Sequence, residues 1–454
     1  MSIMEVMDMK IGPIVYDLFL EVDAKRFKKA KRSLSEVVKE ARIKSRTCSK
    51  KDTCRMRTST LKVNYEALTF FVSTLSYGLM IVPAGILATN WNATKLLCLS
   101  IAGIGLLHYI RAVFKFDIDT DPESTLSIVG FNLLFGVIEA PILPCVYVLL
   151  SRMISPRHRT TVASLVLSAK QFIVLFTLGI ALLSSINGFG SVDARTQLVF
   201  GISDVIWSIV YNFAGSNCDV EFVNEAPSFK PKIPWSSMLS SFAVWTLIMS
   251  HKTSFALHEM IFSDEYEYPF ELPDALRFIK STSARFSLLI LGGIGSSYLS
   301  DALVAQKYLT RLRARKIFNF LAICVPITAC ALISIKYELL DRIGWTFIRL
   351  ILTGLISFQS SGFMFNHMDL SPYYAGILIA ITEAKNQIFK SLVLLIFIYY
   401  KFERISTTFI TFIFFIHPVC TSIFFIICGK VSIQDKWSLV PLSYQNRNKL
   451  DMNL

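Results

Sequence analysis

The sequence predicts an all-α membrane protein with about eleven spanning helices, and three observations carry the prediction. Of 454 residues, 53% are hydrophobic and only 17% charged, where a soluble chain carries nearer a quarter. The apolar residues gather into repeated runs, each close to the length that crosses the hydrocarbon layer of a bilayer as one helix. Lys and Arg concentrate in the breaks between runs, the pattern of cytosolic loops, and this accounts for the net charge of +13 without invoking nucleic acid.

Residues 1–62 form a basic tail with 16 Lys or Arg against 8 Asp or Glu. Its opening, MSIMEVMDMK, lacks the basic start and apolar core of a secretory signal. Ile11–Leu20 is apolar but too short to span. Asp23–Ala41 reads either as a basic amphipathic helix on anionic lipid or as a solvated tail. Spans follow at 67–88, 94–113, 126–151, 162–184, 197–213, 238–261, 284–303, 315–335, 345–365, 374–399 and 405–428. The fifth is short and interrupted by Asp204. The polar stretch 214–237 divides the spans into two bundles, 63–213 and 238–428, and 429–454 is a C-terminal tail.

Loop charge gives the orientation. Arg152, Arg157 and Arg159 in one loop, and Lys307, Arg311, Arg313, Arg315 and Lys316 in another, belong on the cytosolic side. The acidic stretches Phe116–Ser124 and Ser263–Asp274 belong on the other. The alternation sets the basic tail on the non-cytosolic side, and one further span before residue 67 would reverse that. Asn92-Ala93-Thr94 fits a glycosylation acceptor, but in a loop read as cytosolic it stays unmodified. Six of the nine cysteines (98, 145, 324, 330, 420 and 428) lie in apolar spans as small hydrophobes, and Cys48 and Cys54 lack metal-ligand spacing.

The candidate site is organised around Ser127–Ser151. Near its middle stands Glu139, and a carboxylate there costs roughly 2.5–3.5 kcal/mol on insertion scales, so it faces a bundle interior or a wet passage. Asn132 and Gly136 share its helical face. Gly136, Ala140 and Pro144 give small surface for another helix and a bend beside the acid. A desolvated carboxyl suits a proton-coupling group; an acid bonded to a neighbouring helix for packing alone is the other reading.

Further charges stand inside spans: Lys170, Lys252, Arg349, Lys385 and Lys390. Glu383 and Lys390 share a face with Asn386 and Gln387 between them, so that stripe lines a cavity or closes an internal ion pair. His251 and His258 share a face and are either proton relays or packing residues. His258-Glu259 is not a zinc-protease motif, because Phe262 stands where the second histidine is needed. The glycines at 103 and 105 and at 292, 293 and 295 lie in spans and serve helix packing. The Phe-rich run Phe409–Phe425 most simply faces lipid. No nucleophile–base pair or metal-ligand set stands in the spans, so no enzyme, cofactor or metal is expected.

Two stretches carry a resemblance. Asn366–Thr382 (NHMDLSPYYAGILIAIT) resembles the segment between the tenth and eleventh helices of the anion–cation symporter family of major facilitator transporters. That family includes sialin, vesicular glutamate transporters and type I sodium–phosphate cotransporters. FGVIEAPILP resembles its fourth-helix motif at Gly136, Glu139 and Pro144. Ile233-Pro234-Trp235, Leu299-Ser300-Asp301 and Arg315–Asn319 are lesser matches in family order. The resemblance implies a major facilitator bundle of two pseudo-symmetric halves, in which the spans are helices two to twelve and helix one is absent. It also implies proton coupling at Glu139. The family's arginine seven residues before that acid is Asn132 here, and the family's loop acid and arginine after helix two are missing from Gly85–Asn92.

The implied function is transport of a small organic or inorganic anion by alternating access, coupled to a proton or sodium ion, in a plasma membrane or a vesicle- or lysosome-type membrane. The implied path residues are Glu139, Asn132, Lys170, Glu383, Lys385, Lys390 and His251. The alternative is a degenerate, non-transporting scaffold or regulator of the same fold.

Overall fold

The computed structural model describes residues 50–114, 122–186, 192–223, 232–262, 272–335, 342–400 and 417–434. Among them every regular element is a helix. The first group is α1 (Lys50–Asn90), α2 (Ala93–Phe114), α3 (Pro122–Glu139), α4 (Ile142–Met153), α5 (Arg159–Leu167), α6 (Ala169–Ile186) and α7 (Val192–Val223). The second begins with α8 (Trp235–Leu239), α9 (Phe242–Phe262), α10 (Leu272–Ala305) and α11 (Arg311–Ile335). It ends with α12 (Arg342–Ile356), α13 (Asn366–Leu370), α14 (Ala375–Tyr400) and α15 (His417–Cys428).

The expected spans fall on these helices, the last of them only in its described part, 417–428. Leu68–Asn90, Ala93–Val113, Ser127–Met153, Arg159–Ile180, Thr196–Ala214 and Thr282–Ala305 are each long and apolar enough to cross a membrane. Phe347–Ser360 and His417–Cys428 are shorter apolar helices. The chain is a multi-pass membrane protein. Two boundaries differ from the sequence reading. Helix α1 begins at Lys50, inside the stretch read as tail, and α7 runs to Val223, inside the stretch read as linker. The segment Asp23–Ala41 and both acidic loops lie wholly or mostly outside the described residues.

Two spans are broken, each for a local reason. The third divides between α3 and α4 at Ala140 and Pro141. Pro141 and Pro144 lack amide protons, so the carbonyls of Val137 and Ala140 lose their helical donors. The fourth divides at Ser168, whose hydroxyl donates back to the Ser164 carbonyl at 2.6 Å, a bond that bends helices. Between α1 and α2, Asn92 Oδ1 accepts from the Lys95 amide at 2.7 Å. The asparagine of the acceptor triplet therefore caps α2.

Helix α1 lies between α3 and α14, α2 pairs with α7, and α10 packs on α5 and α6. At Gly136 a side chain would overlap Ser76 Oγ and the Ser73 carbonyl, so only glycine admits α1 at that spacing. The close approach read from the sequence at Gly136 is made by α1. A core of Val244, Leu247, Phe286, Ala322, Ile323 and Phe425 joins α9, α10, α11 and α15. Phe425 is 1% exposed and therefore does not face lipid. Leu99, Phe213, Leu291 and Ile427 point outward, as a lipid-facing surface requires.

The end of the bundle that carries the basic loops is sealed between the two groups of helices. Tyr147 Oη donates to the Met364 carbonyl at 2.9 Å and Ser151 Oγ to the Pro372 carbonyl at 2.8 Å. Arg159, read from sequence as a loop charge, is fully buried and reaches the carbonyls of Ile154 at 3.1 Å and Met368 at 3.3 Å. The Thr161 amide and hydroxyl both donate to Asp301 at 2.9 Å. Past α15 the chain returns to this end. The Asn366 side chain donates to the Lys430 carbonyl at 2.8 Å and the Gln434 amide to the Leu370 carbonyl at 3.1 Å.

Candidate functional site

Glu139 is the last residue of α3 and stands at the break before Pro141, half-buried. Its carboxylate lies within electrostatic reach of Lys170 on α6, and of Glu383 and Lys390 on α14. Tyr77 of α1 is buried within reach of both acids. Gln387 donates from Nε2 to Glu383 Oε1 at 2.6 Å, one turn along α14. Two further helices therefore place a second carboxylate and two ammonium groups within electrostatic reach of Glu139 on α3. Lys170 stands at the start of α6, just after the Ser168 break, and is exposed on the bundle. With both acids ionised the group is neutral.

The other path residues lie apart from this group. Asn132 is on the expected face of α3, but its amide donates to its own helix, at the Ile128 carbonyl, 2.8 Å away. Lys385 is five residues from Lys390, about 140° round the helix. It points to α9, where Nζ meets Met249 Sδ at 3.4 Å. Arg349 is half-buried on α12. The side chain of His258 lies outside the described residues.

His251 is buried on α9 against Phe363 and His367, with ring centroids 4.9 Å from each. Its Nε2 has no protein hydrogen-bond partner among the described residues. His367 is anchored from both nitrogens, to the Met364 carbonyl at 3.0 Å and to Thr382 Oγ1 at 3.2 Å. Burial and the adjacent His251 hold His367 well below the usual histidine range. Both ring nitrogens are thus engaged, and His367 is fixed between the α13 turn and α14.

Asp369, on the same turn, is buried against Arg315, with Nη2 at 2.8 Å and Nε at 3.1 Å from Oδ2. Arg311 approaches the other oxygen at 3.5 Å. Burial alone would raise the Asp369 pKa, but the guanidinium groups of Arg315, Arg311 and Arg159 outweigh it and hold the carboxyl below its ordinary range. Arg315 also donates to the Ser361 carbonyl at 2.9 Å and to Thr160 Oγ1 at 3.1 Å, so the ion pair reaches α5. The sequence showed the turn and the basic run separately, and no spacing rule joins residues so far apart. Tyr77 and Tyr147 were missed for the same reason: a tyrosine in an apolar span carries no sign of what its hydroxyl meets.

No family model matches the sequence. The chain is 27% identical over 346 residues to a putative inorganic phosphate cotransporter of Drosophila ananassae, covering 69% of this chain and 68% of that one. It is 25% identical over 349 residues to human sialin, covering 71% and 67%. The aligned part thus spans about two thirds of the length of these relatives. Among solved structures, a proton:xylose symporter of the major facilitator superfamily superposes with a TM-score of 0.56 at 9% identity, over 84% of this chain and 90% of that one. The bundle is a major facilitator fold. In sequence the chain is similar to anion transporters, the resemblance that Asn366–Thr382 and the Glu139 motif led us to expect.

Proposed function

We propose that the protein moves a small anion, organic or inorganic, across its membrane by proton-coupled alternating access of the bundles 63–213 and 238–428. The observation that carries this reading is that Lys170 of α6, and Glu383 and Lys390 of α14, all lie within electrostatic reach of Glu139. Two acids balance two ammonium groups. A proton taken up by Glu139 leaves one ammonium unbalanced, and a bound anion restores neutrality. Proton and anion each raise the affinity for the other, since such coupling is reciprocal. The neutral, doubly loaded group is the form least costly to enclose when the bundles rock about a midplane site. The similarity to a putative inorganic phosphate cotransporter supports an anionic cargo.

The test is uptake of labelled inorganic phosphate into proteoliposomes under an inward proton gradient, against Glu139→Gln. Loss of gradient-driven uptake by at least tenfold is expected, on the scale of one missing transition-state interaction. Full uptake in the variant removes Glu139 from the coupling. Uptake driven by sodium and indifferent to pH replaces the proton as coupling ion.

A second reading, a scaffold of the same fold without transport, is favoured by one observation. Asn132 stands where the family carries an arginine, and its amide is turned onto its own backbone. Failure to move a panel of phosphate and carboxylate anions under either gradient would decide for it.

A further inference from the structure

Lys252 and Lys385 form a second basic group away from the one just described. Met249 and Lys252 are three residues apart on α9, and Lys385 and Phe389 four apart on α14, so each pair lies along one helical face. The contacts cross. Lys385 Nζ lies 3.4 Å from Met249 Sδ, and Lys252 Nζ lies 4.2 Å from the centroid of the Phe389 ring. Each ammonium reaches over to a neutral, soft group of the opposite helix. His417 at the start of α15 lies within electrostatic reach of both lysines. Among the described residues neither lysine has a carboxylate partner.

Such an arrangement is costly in lipid, where ionised side chains pair with one another or line a wet passage. Snorkelling does not relieve it. Lys252 and Lys385 lie about 15 Å from the starts of α9 and α14, and His417 a similar distance from the end of α15, at ~1.5 Å per residue. That depth is near the centre of a layer about 30 Å thick, beyond the reach of a lysine stem to either surface. Both lysines are half-buried, and among protein groups a sulfur and a ring face engage few of the six N–H donors that two ammonium groups carry.

We propose that Lys252, Lys385 and His417 bind a small inorganic oxyanion of the phosphate or sulfate type between α9, α14 and α15. The site is separate from the Glu139 group, and it stands whether or not the protein transports. Its charge does not depend on protonating a carboxylate, so the anion acts as a resident counter-ion locking α9 to α14. A lipid phosphate is excluded by depth.

The experiment follows the melting temperature of purified, detergent-solubilised protein as sodium phosphate replaces sodium gluconate at constant ionic strength. A saturable rise of ~1.5 °C is expected at about ten times the half-saturating concentration. Lys252→Met and Lys385→Met should each abolish the rise, and Glu139→Gln should keep it. Each methionine variant should also melt no lower than the wild type in gluconate, because like-charge repulsion is relieved. If one methionine variant fails to fold, the other carries the test, with Lys252→Arg expected to retain the rise. The proposal fails if phosphate gives no saturable rise, if the rise survives in both methionine variants, or if phosphatidic acid alone gives it. An unchanged rise in Glu139→Gln beside failed uptake would separate this site from the transport reading.

Discussion

Asp369 and Arg315 are both almost wholly buried, at 5% and 1% exposure. Removing one partner leaves an uncompensated charge, so Asp369→Asn should destabilise the protein by about 3–5 kcal/mol, read by denaturant unfolding in detergent. The pH dependence has a definite sign. A carboxylate held below its ordinary range contributes stability at pH above about 4, and loses it as pH falls through its lowered value. The stability gap between wild type and Asp369→Asn should therefore be flat at neutral pH and narrow only in strong acid. A gap that narrowed near pH 6 would assign it to another group. Gly136→Ala should cost about 1–3 kcal/mol through overpacking, because its Cβ would overlap Ser76 and Ser73 of α1. Glu139 was readable from sequence because a lone acid in an apolar run stands out physically. Its partners were readable only in part. Glu383 and Lys390 share a stripe, but helical phase alone could not show that Lys385 turns towards α9 while Lys390 turns towards Glu139.

At the scale of elements, the breaks in the third and fourth spans set the site. Prolines at 141 and 144 end α3 at Glu139, and Ser168 starts α6 just before Lys170. Pro141→Ala restores one amide to the helix and should raise the melting temperature, while lowering phosphate uptake if a broken span is needed for motion. Equal uptake in that variant would show the break to be packing alone. The bend at Pro144 was legible, since proline acts locally. The Ser168 break was not, because a serine in a helix signals a bend only once its hydroxyl is seen to turn back. The seal at the basic end was equally hidden. It is made of long-range bonds such as Thr161 to Asp301, and hydropathy carries no information about them. Asp301→Ala should loosen it. A cysteine placed at Ser151, which is 1% exposed, should then label with a maleimide several-fold faster than in a background that keeps Asp301.

For the whole molecule, composition and run length were enough to predict a helical membrane bundle, because a bilayer accepts so few alternatives. Length was a weaker guide at the margins, where α1 and α7 continue as helices into stretches whose polarity read as tail and linker. One consequence concerns the strand of chain that leaves α15. By gripping Asn366 through Lys430 and Leu370 through Gln434, it is tethered to the turn that bears Asp369. A fluorophore attached just beyond Gln434 would ride on that turn, so its polarisation should report when the ion pair parts, with no probe placed inside the bundle.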